Sequence, residues 1–302
     1  MIAMDVQGSK KDSEVRKSCG VCPRHCSLGE GDIGLCHARA MVDGEIRCRN
    51  YGILTSLALD PIEKKPLYRF YPRSMILSLG SFGCNLYCEF CQNYEISQSD
   101  GIYEGNVAGT EPEKVLLSKR EFTAAELAEI AVRAKEEDGS IGLAFTYNEP
   151  LVGYEFVKDT ASRTHELGLK NVLVTNGCAE ISILEELLPY IDAMNIDLKC
   201  FTDEGYRKLG GDLDTVKAFI KRAYRDSHIE LTTLVVPDIS DSLDDFKREI
   251  RWISDLDPEI PLHLTRYFPR YKYKKPSTSI ELLRHMEKTA KESLKYVFVG
   301  NI

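Results

Sequence analysis

Residues 78–98 read SLGSFGCNLYCEFCQNYEISQ and carry Cys84, Cys88 and Cys91, spaced C-x3-C-x2-C with Phe90 directly before the last. The apolar run 75–79 leads in as a strand, and Gly80 and Gly83 permit a tight turn after it. Three thiolates in one short loop ligate three corners of a metal cluster, whereas completed iron–sulfur sites usually take four cysteines. A loop that stops at three points to one iron left open, the logic that marks catalytic metal centres. The alternative is a zinc site that borrows its fourth ligand from Cys178 or Cys200.

Downstream of this loop the pattern is strand, loop, helix, repeated. Strands are expected at 75–79, 141–146, 171–175, 193–198, 229–236 and 261–267, with a last one at 296–299. Between them, Thr123 and Glu126 form a capping box ahead of Leu127, Ile130, Ala131 and Ala134 at helical spacing. Further apolar stripes run through Leu184, Leu187 and Leu188; through Val216, Phe219, Ile220 and Ala223; and through Leu243, Phe246, Ile250 and Ile253. A final helix is expected at 279–293. Parallel βαβ units follow, and six of them make an α/β fold of the incomplete (β/α)6 barrel type.

In such barrels the chemistry gathers at the C-terminal ends of the strands. Here Gly83-Cys84, TYNEP (146–150), TNG (175–177), DLK (197–199), VVPD (235–238) and TRYFP (265–269) all fall at strand ends. Asp197 and Lys199 alternate with Ile196 and Leu198, so they share the face opposite the apolar one, which is the lumen. A buried Asp and Lys there need each other as partners. Thr175, Asn176 and Gly177 form a turn whose hydroxyl and amide groups suit a ribose or a carboxylate. Cys178 and Cys200 lie just beyond two strand ends and are expected as buried thiols.

Upstream lies a second cysteine group. Cys19, Cys22, Cys26 and Cys36 fall as C-x2-C-x3-C-x9-C in a glycine-rich stretch too short for a core of its own. Four thiolates suffice for structural zinc or for a [4Fe–4S] cluster, and unliganded buried thiols are the plain alternative. His25 and His37 are expected to be exposed, and Cys48 to be a buried apolar residue. The stretch 60–72, DPIEKKPLYRFYP, is too interrupted by proline for a helix and reads as a linker whose Lys64, Lys65 and Arg69 are solvated by default, an anionic substrate or carboxylate being their other partner. The chain is therefore divided into an extension at 1–73 and a barrel at 74–302.

The 302-residue length suits one large domain with an appendage. No apolar run approaches a membrane span, and residues 1–18 lack the apolar core of a secretory signal. A cytoplasmic protein is expected, in which ten cysteines bind metal rather than form disulfides. Net charge is −8; residues 1–73 hold 12 Lys/Arg against 9 Asp/Glu, and the remainder 27 against 38. An acidic body without a basic stripe argues against nucleic acid as a partner. The six histidines show no zincin spacing.

The loop CNLYCEFC resembles the signature of the radical S-adenosylmethionine (SAM) enzymes, C-x3-C-x-Φ-C, with Phe90 as the aromatic Φ. Together with DPIEKKPLYRFYP, TYNEP and YVFVGN (296–301), it resembles the pyruvate formate-lyase activating enzyme-like branch, and within it the AmmeMemoRadiSam group, from Cys19 onward. The resemblance implies a [4Fe–4S] cluster on Cys84, Cys88 and Cys91, with SAM chelating the open iron and an electron donor such as ferredoxin or flavodoxin. It implies the partial barrel too, and it carries the N-terminal cysteine pattern. Asn148 and Glu149 are then the acceptors for the SAM ammonium group, where related enzymes have Gly-Gly-Glu; capping of the next helix is their other reading. Thr175, Asn176, Asp197 and Lys199 complete the cofactor shell, with Lys199 toward the SAM carboxylate or the substrate. The pyruvate formate-lyase activators have an Asp before Thr-Asn-Gly as part of a cation site; this chain has Val174.

Three functions follow from these readings. The first is a radical enzyme that cleaves SAM reductively and abstracts hydrogen from a small molecule. The second is an activase that acts on a glycine of a partner glycyl-radical enzyme, with the 60–72 stretch as a docking surface. The third is a non-catalytic zinc module, disfavoured because three cysteines underfill the metal.

Overall fold

The computed structural model describes residues 15–98 and 120–302, so most of the polar stretch 1–18 lies outside the described residues. Eight strands form the main sheet: β1 (Ser56–Pro61), β2 (Met75–Gly80), β3 (Ser140–Phe145), β4 (Lys170–Thr175), β5 (Ala193–Asp197), β6 (His228–Val235), β7 (Leu262–Arg266) and β8 (Val297–Gly300). They lie side by side in chain order. β2 to β8 are parallel, and β1 runs antiparallel to β2. The crossovers carry α1 (Ala124–Asp138), α2 (Tyr154–Glu166), α3 (Ile181–Leu187), α4 (Asp203–Leu209) with α5 (Leu213–Ala223), α6 (Leu243–Leu256) and α7 (Ile280–Lys291). Parallel crossovers keep one hand, and strands taken in chain order therefore receive their helices on one face.

Local chemistry sets these boundaries. Thr123 accepts from the Glu126 amide while the Glu126 side chain accepts from the Thr123 amide, the capping box expected at the start of α1. Thr202, Asp212, Ser242 and Ser279 cap α4 to α7, each side chain accepting from one amide of the first turn. Gly142 in β3 has no alternative: a Cβ there would lie 1.9 Å from the Lys170 carbonyl oxygen of β4.

Two apolar layers divide the sheet. Leu143, Leu173, Ile196, Leu231 and Leu264 pack outward against Leu127, Leu184, Phe219, Ile250 and Leu283 of the helices. On the concave face, Ile76, Ala144, Val172 and Ala193 pack with Ile62 and Leu67. The segment after β1 thus enters the half-barrel and fills its base. The Pro66 carbonyl accepts from Asn195 of β5, the Tyr68 and Arg69 amides donate to Glu230 of β6, and the Tyr68 ring meets His263 of β7 and Phe298 of β8. One short segment reaches four strands because the sheet curls around it.

For Lys65 this corrects the reading of 60–72 as a solvated linker, whereas Lys64 and Arg69 are exposed as expected. Lys65 is 2% exposed, with Nζ 2.8 Å from Asp60 Oδ2 and over the Tyr147 ring. Lys64 joins the same carboxylate, and Arg69 stacks over Tyr296. The prolines forbid a helix, as expected, but they do not forbid burial. The sheet also recruits Ser56–Pro61 from the stretch assigned to the extension. Among the described residues, no helix is long and apolar enough to cross a membrane.

Candidate active site

The loop after β2 is braced from three sides. Asn148 accepts from the Ser81 amide at 2.9 Å and donates to the Phe82 and Gly83 carbonyls at 3.1 Å each. Gly83 has φ +90°, and a Cβ on it would lie 2.5 Å from the Cys36 carbonyl oxygen, so the N-terminal module sits directly against the loop. At the far end, the Lys272 and Tyr273 amides donate to the Glu89 carbonyl at 2.9 Å each. Phe90 is buried and meets the Tyr273 ring edge-on.

Cys84, Cys88 and Cys91 line a cavity of about 530 Å³ at the C-terminal mouth of the sheet. Phe90, Asn148, Glu149, Thr175, Asn176, Asp197 and Lys199 line the same cavity, so every residue expected at the main site reaches it. Burial, then the proximity of Glu149 and of the other two thiols, pushes Cys84 well above the usual thiol range. Burial pushes Cys88 up to about 12, with Cys91 adding to it and Lys199 opposing. Three soft donors crowded in this way take up their thiolate form when a cation compensates them, which suits a metal centre. The volume lies within the range of small-molecule pockets, roughly 300–1,000 Å³. The donor set and the space both fit a three-thiolate cluster with a nucleoside ligand.

The zinc alternative fares worse. Among the described residues, no three His, Cys, Asp or Glu side chains are gathered to hold a single metal ion, at the loop or in the N-terminal module. Cys178 and Cys200 are 2% and 1% exposed, and neither lines the cavity.

The polar residues divide into those that face the cavity and those spent on the scaffold. Glu149 accepts from the Leu151 amide and Thr175 hydroxyl through Oε1, and from the Asn176 amide through Oε2. It therefore caps the 3-10 turn Pro150–Gly153 while presenting its carboxylate to the cavity. Burial raises its pKa to about 7 against those three hydrogen bonds. Thr175 is committed: its hydroxyl donates to Glu149 and accepts from the Gly177 amide. Asn176 donates to Asn85 Oδ1 at 2.9 Å and accepts from the Cys178 amide. These contacts hold the turn in shape at the cavity wall, and the Asn176 side-chain amide also donates to Cys84 Sγ at 3.7 Å. Lys199 Nζ lies 2.7 Å from Asp197 Oδ2, the pairing that burial demands.

Several cavity residues were not anticipated. Tyr147 has φ +72°, uncommon for an aromatic residue, and its ring turns down the lumen so that its hydroxyl donates to Asp60 at 2.7 Å. Thr232, His263, Thr265, Phe298 and Tyr68 line the wall toward β8. For Thr232, His263 and Thr265 the signal was the same period-two alternation that singled out Asp197. Behind them Glu230 accepts from His228, His263 and the amides of Tyr68 and Arg69. Burial would raise its pKa, but these four donors hold it at about 2.

The N-terminal module is built on two small hairpins, Lys17–Ser18 with Ser27–Leu28 and Arg39–Val42 with Glu45–Cys48. Cys19, Cys22 and Cys36 are buried and Cys26 is half-buried. Burial, then the proximity of Cys22, Cys19 and Cys26, pushes Cys36 up to about 11, so the four thiols share one neighbourhood. His25 is turned away, held by Glu180 and the Cys19 carbonyl. Cys48 donates to Asn50 rather than packing as an apolar side chain.

Comparison with known proteins adds an independent line. Residues 79–253 match the sequence model of the Radical SAM superfamily. An uncharacterized protein of Methanocaldococcus jannaschii is 39% identical over 295 residues, 96% of this chain and 82% of that one. The pyruvate formate-lyase-activating enzyme of Clostridium pasteurianum is 26% identical over 224 residues, 70% of this chain and 84% of that one. A radical SAM methyltransferase from Sphaerobacter thermophilus shares the fold with a TM-score of 0.54 at 16% identity, over 76% of this chain and 67% of that one. Streptococcus suis SuiB bound to its precursor peptide SuiA shares it at 0.53 and 16% identity, over 80% of this chain and 51% of that one.

Proposed function

This chain belongs to the radical SAM superfamily, and from that premise we propose that it abstracts hydrogen from a small-molecule substrate held in the cavity beside Cys84, Cys88 and Cys91. Cys84, Cys88 and Cys91 would hold a [4Fe–4S] cluster with SAM bound to it, and this pair would supply the one-electron reductive cleavage of SAM that abstraction of hydrogen requires. The observation that carries the reading is the convergence of three thiols from one loop and the strand-end polar residues on one cavity.

The chain's own residues bind, orient and exclude. Asn148 fixes the backbone that leads into Cys84. Glu149, anchored from three sides, offers the SAM ammonium a carboxylate whose position is already set. Lys199 and Asp197 offer a cation and an anion on the opposite wall, toward the SAM carboxylate and the substrate. Ile62 and Leu67 close the base, keeping water from a reactive intermediate. Reconstitution under anaerobic conditions tests the assignment. The Cys84/Cys88/Cys91 triple-Ala variant should lose about four irons per chain, the content of one such cluster. Unchanged iron would sink it.

The likeness to the Clostridium pasteurianum activating enzyme favours a second reading, removal of hydrogen from a glycine of a partner protein. A glycyl radical signal in a partner enzyme after incubation would select it over the first.

A further inference from the structure

The loop after β7, residues 266–276, reads RYFPRYKYKKP: five cations and no acid in a chain of net charge −8. Three of its four aromatic residues are packed, and the fourth, Phe268, is exposed with the Arg266 guanidinium over its ring. Tyr267 is 1% exposed and donates to the Tyr273 carbonyl. The Tyr273 ring meets Phe90, and its hydroxyl donates to the Pro237 carbonyl. Tyr271 stacks on Tyr94 at 4.5 Å and 14°. Arg266 is spent on the Thr278 carbonyl. The cations that remain, Arg270, Lys272, Lys274 and Lys275, point out to solvent. Of these four, Lys275 has an acidic partner, Asp238 at 2.9 Å, and the other three have none among the described residues. The acids around the loop are Asp238, held by Lys275, with Asp241 beside it, and the exposed Glu89 and Glu95; among the described residues none of them is within ion-pair distance of Arg270, Lys272 or Lys274.

Position gives this patch its meaning. The Lys272 and Tyr273 amides hydrogen-bond to the carbonyl of Glu89, the residue next to Cys88. A basic surface is thereby fastened to the outer side of the loop whose inner side carries the three thiols. With Tyr267, Tyr271 and Tyr273 packed and Arg266 over the one exposed ring, Phe268, the patch offers charge without the row of open rings on which single-stranded nucleic acid stacks.

We propose that this basic rim docks the acidic one-electron carrier protein that reduces the enzyme, an inference that rests on the radical SAM reading above. Each encounter oxidises the carrier by one electron, and that electron is consumed in the cleavage of SAM. Partners of this kind meet over small interfaces, below roughly 1,200 Å², and rely on complementary charge for rate and orientation.

The test uses the reconstituted full chain, a reduced flavodoxin of net negative charge as probe, and the variant R270E/K272E/K274E. Binding of flavodoxin to wild type should weaken steeply with added salt, and the variant should bind about tenfold more weakly at low salt and lose that salt dependence. Gln at the same three positions should give an intermediate loss. Zero-length carboxylate–amine cross-links should map to Lys272 and Lys274. Dithionite-driven formation of 5′-deoxyadenosine should stay within about twofold of wild type, while flavodoxin-driven formation falls about tenfold. Equal flavodoxin affinity in variant and wild type, no salt-sensitive association at all, or loss of RNA binding with flavodoxin binding intact would each overturn the proposal. Failure of wild type to cleave SAM with dithionite would instead strike the radical reading, and the binding and cross-linking arms separate the two.

Discussion

The Thr175 hydroxyl donates to Glu149 Oε1 across 2.7 Å, tying the end of β4 to the turn that follows β3. With the Leu151 and Asn176 amides it leaves Glu149 immobile and one face of its carboxylate toward the cavity.

From this follows a prediction on SAM binding. Charge-assisted hydrogen bonds are worth roughly 1.5–3 kcal/mol, so Glu149→Ala and Lys199→Ala should each weaken SAM binding about ten- to a hundredfold. Burial holds the Glu149 pKa at about 7, so affinity should rise as pH increases through that value and the carboxylate ionises. Equilibrium dialysis with labelled SAM from pH 6 to 8 measures both. Wild-type affinity in the two variants would assign them to substrate or fold.

Glu230 gives a prediction on acid stability. Its folded pKa of about 2 lies below the ordinary 4.5, so its stabilisation is present above pH 4.5 and is lost as pH falls through about 2. The difference corresponds to about 3 kcal/mol. Glu230→Gln should lose stability of that order at pH 7 and show a flatter acid limb in denaturant titrations between pH 5 and 2.

Glu249 predicts the opposite slope. Burial raises its pKa to about 8, against the hydrogen bond it accepts from the Thr233 hydroxyl. Its contribution is full below pH 4.5 and lost as pH rises through 8. Glu249→Gln should therefore be more stable than wild type at pH 9 and lose that advantage by pH 5, as read by thermal melts.

The barrel could be read from the sequence because its strands and stripes are local. Alternation at Ile196, Asp197, Leu198 and Lys199, or helical spacing from Leu213 to Ala223, depends on neighbours a few residues away. What escaped depends on distant partners. Lys65 looked solvated in a proline-rich stretch, and its burial rests on Asp60 and on Tyr147, far along the chain. Glu230 and His263 alternate visibly with apolar neighbours, yet their pairing needs the register that sets Thr232 opposite His263. The partners of Thr175 and Asn176 escaped because the groups that claim them, Glu149 and Asn85, lie on other loops.

The N-terminal thiols carry their own prediction. Cys36 sits against Gly83, and Cys19, Cys22 and Cys26 lie near enough to raise its pKa, so a metal on these thiols would stiffen the support of the main loop. A Cys19/Cys22 double-Ala variant should lose metal and thermal stability while Cys84, Cys88 and Cys91 keep their iron. Unchanged metal content, folding and activity would make the module a cysteine-rich extension alone.

The most direct measurement is the fate of SAM. Reconstituted enzyme reduced with dithionite should convert SAM to 5′-deoxyadenosine and methionine, slowly even without substrate, and Cys91→Ala should abolish the reaction. Consumption of SAM with a methylated product and no 5′-deoxyadenosine would contradict the account.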